Sequence, residues 1–231
     1  MIFAANFKTN HTRSSTKAYM QKLEELTQEV DNPLYVFPPL TALDRFESSK
    51  IVVGAQNAYP TQNGAFTGEV GLEQLAEFDI ETILIGHSER REILGESQEE
   101  VAKKFAFFKE QGFRIIYCIG EPLEVRQEGE EALKEYLFAQ LDGIDLHYDK
   151  LIVAYEPIWA IGTGVSATVK DITSTHQLLK KVIKAPLLYG GSAKLANIKE
   201  IANIDEVDGV LVGSASLDAT TFFEMIQATK A

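Results

Sequence analysis

The sequence predicts an α/β protein, a closed (β/α)8 barrel in which eight parallel strands are ringed by helices. Short β-branched or apolar runs alternate eight times with longer amphipathic segments, and 231 residues is an ordinary length for such a barrel. The open, doubly wound alternative usually has fewer strands and a glycine-rich turn after the first one. Here Asn6-Phe-Lys-Thr-Asn follows the first strand. No linker or low-complexity tract interrupts the chain, so residues 1–231 are predicted to form one domain.

The predicted strands are near-continuous apolar runs, which is typical of parallel strands covered on both faces. They span Ile2 to Asn6, Leu34 to Phe37, Ile51 to Ala55, Thr82 to Ile85, Phe113 to Ile119, Leu151 to Tyr155, Leu187 to Tyr189 and Gly209 to Val212.

The segments between the strands carry helical signals. In Thr16 to Val30, apolar residues recur at the spacing of one helical face. Ser97 with Glu100 three positions later predicts a capped helix N-terminus, and Gly112 marks the other end of that helix. Further helices are predicted at Glu130 to Leu141, Lys170 to Ile183 and Ala219 to Ala228.

Charge and composition argue against several classes of protein. A formal net charge of -12 disfavours sequence-independent nucleic-acid binding, which depends on Lys and Arg at phosphates. No apolar run approaches the roughly 20 residues of a membrane span, and the N-terminus lacks the basic segment of a signal peptide. The single cysteine, Cys118, cannot form an intrachain disulfide, and no Cys or His cluster has metal-ligand spacing. We therefore expect a cytoplasmic protein with no membrane span and no metal.

Polar residues gather where the predicted strands end. In a parallel barrel the loops after the strand C-termini share one face, and active sites are built there. Asn6 and Lys8 follow the first strand, His87 the fourth and Glu156 the sixth, and small-residue turns follow the last two strands. Phosphate sites recur on this fold after those last two strands. The sequence thus predicts a base, a polarising group and an anion cradle in one pocket.

Each of these residues also has a structural interpretation. A lone Lys8 is more often a surface charge, and a lone His87 is slightly more often structural than catalytic. Glu156 is harder to explain in that way, because a carboxylate after a buried strand needs a partner or a raised pKa. Cys118 is expected to fill space as a buried, inert thiol. Three histidines in polar or helical contexts are expected to be solvated: His11, His147 and His176.

The segment Pro157 to Gly164 has the pattern of a lid. It begins with a rigid proline and bulky apolar residues and ends in glycines that can absorb backbone rotation. An ordinary loop packed on the barrel is the alternative. A long apolar stretch directly after a carboxylate favours the lid.

With these residues identified, the chain resembles the triosephosphate isomerases, the family of the TIM barrel, over essentially its whole length. The matching motifs stand in the family's order: Asn6-Phe-Lys8, Gln56-Asn-Ala-Tyr-Pro60, Gly64-Ala-Phe-Thr-Gly-Glu-Val70, Ile85-Gly-His-Ser-Glu-Arg-Arg91, Cys118-Ile-Gly-Glu121, Ala154-Tyr-Glu-Pro-Ile-Trp-Ala-Ile-Gly-Thr-Gly164, Tyr189-Gly-Gly-Ser192 and Leu211-Val-Gly-Ser-Ala-Ser216.

The resemblance implies a cofactor-free isomerase that interconverts dihydroxyacetone phosphate and D-glyceraldehyde 3-phosphate. Glu156 would be the base, and His87 would donate a hydrogen bond to the enediolate. Lys8, helped by Asn6, would stabilise its negative charge. A histidine kept neutral at a helix N-terminus is a known feature of this family, and Ser88-Glu-Arg suits the opening turn of such a helix.

By the same resemblance, Ser88, Glu89 and Cys118 would support the catalytic groups, with Glu89 near Lys8. Backbone N–H groups would hold the substrate phosphate at Gly162, Ser192, Gly213 and Ser214. The family is typically a homodimer in which the loop after the third strand reaches into the neighbouring subunit. That loop is Gln62 to Glu69 here, and Thr67 would approach the partner's site.

Several positions depart from the family's pattern. Phe7 and Thr9 replace a tryptophan and a methionine, which we expect to alter packing only. Val165 and Ser166 replace a lysine and a threonine at the far hinge of the lid, which concerns lid motion rather than chemistry. Ser214 replaces a glycine but keeps its backbone N–H. The chain is also somewhat shorter than most members.

Two other functions remain open at this point. A phosphate-binding barrel with aldol or decarboxylation chemistry would need a Schiff-base lysine or a metal cluster, and Lys8 is the one lysine at the C-terminal end of a predicted strand. A barrel retained only for binding would be expected to lose a key residue. Lys8, His87 and Glu156 are all present.

Overall fold

The computed structural model describes residues 1–48, 50–161 and 166–230. Within these ranges eight strands form one parallel sheet. They are β1 (Ile2–Asn6), β2 (Leu34–Phe37), β3 (Ile51–Val53), β4 (Thr82–Ile85), β5 (Arg114–Ile119), β6 (Leu151–Tyr155), β7 (Leu187–Tyr189) and β8 (Gly209–Val212).

The sheet curls into a barrel. Its strand order is β3-β2-β1-β8-β7-β6-β5-β4, which leaves β3 and β4 at the two edges. Ala55 joins those edges by a parallel bridge to Ile83, with its N–H donating to the Thr82 carbonyl at 2.9 Å and its carbonyl accepting from Leu84 N–H at 2.9 Å. The predicted (β/α)8 barrel is therefore confirmed. β3 ends at Val53, two residues before the predicted end, because only the bridge continues the pairing.

Helices follow the strands around the barrel. In the described part of the chain they are α1 (Arg13–Leu26), α2 (Leu72–Ala76), α3 (Ser88–Glu92), α4 (Gln98–Glu110), α5 (Leu123–Glu128), α6 (Glu130–Ala139), α7 (Val169–Lys180), α8 (Ile198–Ala202) and α9 (Ala219–Ala228). Short 3₁₀ turns occupy Leu40–Ala42, Ile158–Ala160 and Ser214–Ser216. None of the described helices has the length and apolar character that crossing a bilayer requires.

Capping residues set helix boundaries that the spacing of apolar residues does not reveal. α1 begins three residues before the predicted Thr16, because Thr12 caps it by accepting from Ser15 N–H at 3.3 Å. That first turn is polar, so periodicity alone does not reveal it. The predicted cap of α4 is confirmed: Ser97 Oγ accepts from Glu100 N–H at 3.3 Å, and Glu100 Oε2 accepts from Ser97 N–H at 2.8 Å.

Two apolar layers hold the barrel together. One fills its interior and includes Ala4 and Ala154, whereas the other lies between the strands and the helices and includes Val153 and Tyr155. Successive side chains of a strand point to opposite faces, so Asn6 and Glu156 have the same parity as the interior residues Ala4 and Ala154. The alternation along β1 and β6 therefore directs these two polar groups toward the barrel mouth.

Two of the three histidines expected to be solvated are not. His176 is fully buried on α7, on the same face as Ile172 and Leu179. That i, i+4, i+7 spacing was the available signal, but the polar residues around His176 masked it. His11 is half-buried, and both of its ring nitrogens have partners. His147 is exposed as expected.

Candidate active site

A cavity of about 140 Å³ opens at the C-terminal ends of the strands. Of the predicted site residues, those that line it are Asn6, Lys8, His87, Glu156, Ser192, Gly213 and Ser214. They come from the ends of strands that are far apart in sequence, and barrel closure brings them together. Gly162, predicted to bind phosphate, lies outside the described residues. So do Thr163 and Gly164, the last residues of the predicted lid, and Val165.

A larger cavity, of about 380 Å³, lies at the opposite end of the barrel. It is lined by residues at strand N-termini, among them Ile51, Thr82 and Arg114. Residues at that end of a (β/α)8 barrel usually serve stability, and none of the predicted site residues lines it.

Glu156 is held immediately after β6 with 1% of its surface exposed. Its Oε2 accepts a hydrogen bond from Ser88 N–H at 2.9 Å, and its Oε1 lies 3.1 Å from His87 Nε2. A buried carboxylate is costly unless its oxygens are hydrogen-bonded, and these two donors supply that compensation. Both donors come from the β4 end, 68 residues away from Glu156 in the case of Ser88.

His87 is the N-cap of α3 and is itself buried. Its Nδ1 accepts from Glu89 N–H at 3.2 Å, so this nitrogen carries no proton. The contact of Nδ1 with Glu89 Oε2, at 3.7 Å, is too long for a hydrogen bond. The ring is therefore neutral with its proton on Nε2, which donates to Glu156.

Lys8 adopts a left-handed backbone, with φ at 52°. Its Nζ lies 2.6 Å from Glu89 Oε1, and its N–H donates to Asn6 Oδ1 at 3.0 Å. The Lys8 carbonyl accepts from Gln56 Nε2 at 2.8 Å. Glu89 thus holds two of the predicted catalytic groups: its backbone N–H donates to the His87 ring, and its carboxylate binds the Lys8 ammonium. The support from Gln56 was not among the predicted site residues, although its motif was recognised.

Gly190 makes room for the buried carboxylate. A Cβ on this glycine would lie 2.8 Å from Glu156 Cγ and 3.2 Å from the Tyr155 carbonyl. The first of these separations is one that real Cβ atoms essentially never show. The sequence interpretation assigned the Gly-Gly-Ser turn to phosphate binding alone, and the structure adds that its first glycine accommodates Glu156.

A second buried carboxylate, Glu121, supports the start of the predicted lid. It is fully buried, and its Oε1 accepts from Tyr155 Oη at 2.9 Å and from Trp159 Nε1 at 3.0 Å. Arg126 Nη1 lies 3.6 Å from the same oxygen. Burial raises the pKa of Glu121 above its ordinary value. Sequence reasoning missed this residue, although a carboxylate just after an apolar strand is the signal that identified Glu156.

Cys118 lies inside the barrel near Glu156 and is fully buried. Burial, reinforced by the negative charge of Glu156, raises the pKa of its thiol well above the ordinary value. The thiolate is therefore disfavoured, and Cys118 contributes packing rather than reactivity.

The two turns after β7 and β8 are stiffened from within. Asn197 Nδ2 donates to the Ser192 carbonyl at 3.0 Å. Ser216 Oγ lies 2.9 Å from the Val212 carbonyl and 2.7 Å from that of Gly213. Ser214 opens a 3₁₀ turn, and the first N–H groups of such a turn have no partner within it. These N–H groups are available to an anion in the cavity.

A (β/α)8 barrel whose mouth joins a buried carboxylate, a neutral imidazole and a lysine beside two small-residue turns has the architecture of a proton-transferring isomerase. Comparison with known proteins makes this specific. The family model for triosephosphate isomerase matches residues 1–229. The chain belongs to the triosephosphate isomerase family.

Individual relatives agree with the family model along the whole chain. The triosephosphate isomerase of a Sulfurovum species is 63% identical over 230 residues, which are 99% of this chain and 100% of the relative. The triosephosphate isomerase of Wolinella succinogenes is 57% identical over 230 residues, covering 98% and 99%. That of a Nitratiruptor species is 55% identical over 230 residues, covering 100% and 99%.

Proposed function

We propose that this chain interconverts dihydroxyacetone phosphate and D-glyceraldehyde 3-phosphate through an enediolate, a step shared by glycolysis and gluconeogenesis. Membership of the triosephosphate isomerase family supports the reaction. The observation that carries the assignment of roles is the convergence of Glu156, His87 and Lys8 on one cavity of about 140 Å³. No cofactor enters the proposed reaction.

Glu156 is the proposed base. It removes a proton from the carbon next to the substrate carbonyl and returns it to the former carbonyl carbon, while the hydroxyl proton moves to the former carbonyl oxygen. Both of its oxygens already have donors, Ser88 N–H and His87 Nε2. To reach a carbon-bound proton the carboxylate must exchange at least one of these for the substrate. That exchange leaves a carboxylate oxygen free to accept the carbon-bound proton.

His87 and Lys8 are the proposed stabilisers of the enediolate. The neutral ring of His87 offers its Nε2–H to a substrate oxygen as negative charge develops there. Lys8 supplies a positive charge to the cavity, whereas the chain as a whole has a net charge of -12. Asn6 fixes the Lys8 backbone through its 3.0 Å hydrogen bond and lines the same cavity.

The phosphate is proposed to bind backbone N–H groups of Ser192, Gly213 and Ser214, with Gly162 as a further donor. The first three line the cavity, beside Lys8. Backbone donors suit an anion because they are fixed before the ligand arrives. Lysine and the turns together offset the unfavourable net charge of the chain.

The assignment of Glu156 is tested by comparing Glu156→Asp with the wild type in a coupled isomerisation assay. The shorter side chain withdraws the carboxylate from the reacting carbon, so we expect a loss of about ten-fold or more. Glu128→Asp, at an exposed position of α5, is the matched control and should leave activity unchanged. Full activity of Glu156→Asp would overturn the role of this residue. Borohydride with substrate should trap nothing on Lys8, whose ammonium is engaged by Glu89 at 2.6 Å.

We also propose a homodimer formed through the loop Gln62 to Glu69. Every residue of this loop is exposed, and the Phe66 ring packs on Tyr59 at 4.4 Å. A cavity of about 430 Å³ beside the active site is lined by Ile93 and Leu94, which are 75% and 66% exposed. Exposed apolar groups beside a cavity are typical of an interface.

In this arrangement Thr67 of one subunit enters the partner's cavity. Sedimentation at micromolar concentration should show a dimer, and Thr67→Arg should shift it toward monomer because a charge would be buried. A wild-type protein that sediments as a sharp monomer would contradict the proposal.

We further propose that the chain folds as one domain and that it is cytoplasmic. One domain spanning residues 1–231 is supported by the continuous core between barrel and helices, and predicts a single cooperative unfolding transition. A cytoplasmic location is supported by the glycolytic role and the lone thiol of Cys118, and is tested by fractionation of the source cells.

A further inference from the structure

The loop between β1 and α1 carries Lys8 and has an unusual backbone. Among the described residues other than glycine, three have positive φ, and two of them are in this loop: Lys8 at 52° and His11 at 69°. A left-handed backbone is strained for a residue with a Cβ, whereas glycine adopts it freely. His11 therefore occupies a position where glycine would be conformationally easier, so its ring contacts must offset the cost.

The His11 ring makes contacts on both edges. Its Nε2 lies 2.9 Å from the Leu217 carbonyl, which can only accept, so Nε2 carries the proton. Its Nδ1 lies 3.1 Å from Ser15 Oγ at the start of α1. The ring also packs on Phe7 at 4.5 Å and on Tyr19 at 5.7 Å between centroids. His11 is thus bound to the loop's own neighbours and to a residue 206 positions away.

Leu217 directly follows the turn Ser214–Ser216, which is part of the proposed phosphate site. The two loops meet a second time at Gly213, where a Cβ would lie 3.4 Å from Lys8 Cε. Lys8 and this turn therefore lie side by side at the cavity, and His11 joins the same two segments outside it. His11 is not among the residues that line the cavity.

We propose that His11 is a positioning residue that holds the Lys8 loop against the phosphate turn, Gly213 to Ser216. We call this interaction the clamp. The hydrogen bond from His11 Nε2–H to the Leu217 carbonyl fixes the distance between the Lys8 ammonium and the N–H groups of Gly213 and Ser214. When the turn binds the substrate phosphate, the rest of the substrate then lies at one fixed position relative to the Lys8 ammonium. This inference rests on the proposed roles of Lys8 and of the turn.

The decisive variant is His11→Gly. Glycine accepts a φ of 69° without strain, so a purely conformational role predicts a protein as active as the wild type and at least as stable. Loss of the clamp instead predicts a KM raised by about five-fold or more, because Lys8 and the turn no longer bind the substrate together in the ground state. The kcat should fall by less. Inhibition by inorganic phosphate should weaken in parallel.

Two more variants separate the clamp from other effects. His11→Gln keeps an N–H that can reach the Leu217 carbonyl, so its KM should stay within about two-fold of the wild type. Asp79→Gly is the matched control: Asp79 is the third residue with positive φ, at 56°, and its side chain is 74% exposed. It should gain or keep stability and leave both kinetic constants unchanged.

The outcomes distinguish the inference from the proposed function. Absence of isomerisation in the wild type would refute the function itself. An active wild type with His11→Gly of unchanged KM, or with His11→Gln as impaired as His11→Gly, would overturn the clamp alone. Should His11→Gly fail to fold, His11→Asn replaces it, because asparagine tolerates the left-handed backbone but is too short to reach Leu217.

Discussion

Replacing His176 with phenylalanine should make the protein less sensitive to acid. His176 is fully buried on α7, between the rings of Tyr155 at 5.7 Å and Tyr189 at 6.5 Å. Its Nδ1 lies 3.1 Å from the Glu206 carbonyl and so carries the ring's proton. Its Nε2 is buried and has no hydrogen-bond partner among the described residues. Protonating Nε2 would bury a charged N–H with nothing to accept it.

The magnitude follows from the pKa. Burial lowers the pKa of His176 from its ordinary 6.5 to about 4. The unfolded chain takes up this proton at higher pH than the folded protein does. The stability contributed by the neutral ring is therefore complete above pH 6.5 and is lost as the pH falls from 6.5 to about 4. Integrated from about pH 7.5 to about pH 5, the loss is about 2 kcal/mol, and it reaches about 3 kcal/mol at lower pH.

The assay is urea unfolding at equilibrium, at about pH 7.5 and about pH 5, for the wild type and His176→Phe. Both proteins are measured at one protein concentration, because dimerisation couples to unfolding. The wild type should lose about 2 kcal/mol more than the variant between the two pH values. Carboxylates that titrate in this range affect both proteins alike and cancel in the difference.

His147→Gln is the control, since His147 is exposed and its replacement should leave the pH response unchanged. Parallel pH responses of the wild type and His176→Phe would refute the reasoning. An NMR titration provides a second, independent measurement on the unmodified protein. It should show the His176 ring neutral, with its proton on Nδ1, down to about pH 5.

Three shorter predictions concern packing and caps. Gly190→Ala would place a Cβ 2.8 Å from Glu156 Cγ and displace the base, so kcat should fall about ten-fold or more in the coupled assay. An unchanged kcat would contradict this, because it would mean that the Glu156 side chain tolerates the added methyl group. Ser97→Ala removes the cap of α4 and should cost about 1 kcal/mol in urea unfolding, with an unaltered midpoint as the contrary result. Lys104→Met removes one cationic partner of the Glu96 carboxylate, while Arg90 Nε stays 3.2 Å away, and should cost about 2 kcal/mol; a stabilised variant would contradict this.

The sequence by itself determined the barrel and the segments that form its active face. Buried parallel strands are near-continuous apolar runs, so β6 and β8 could be bounded from composition alone. Parity along a strand is equally local, and it places Glu156 on the same side of β6 as Ala154 once the strand is bounded. The cap of α4 could be predicted for the same reason, because Ser97 and Glu100 are three residues apart.

Only the tertiary structure decided what depends on segments far apart in the chain. Ser88 N–H reaches Glu156 across 68 residues, and the His11 ring reaches Leu217 across 206. No local pattern encodes such pairs, because closure of the barrel creates them. The burial of His176 and the space that Gly190 leaves for Glu156 are of the same kind. Hydrophobic periodicity is a property of neighbours in sequence, whereas hydrogen-bond partners and steric room are properties of neighbours in space.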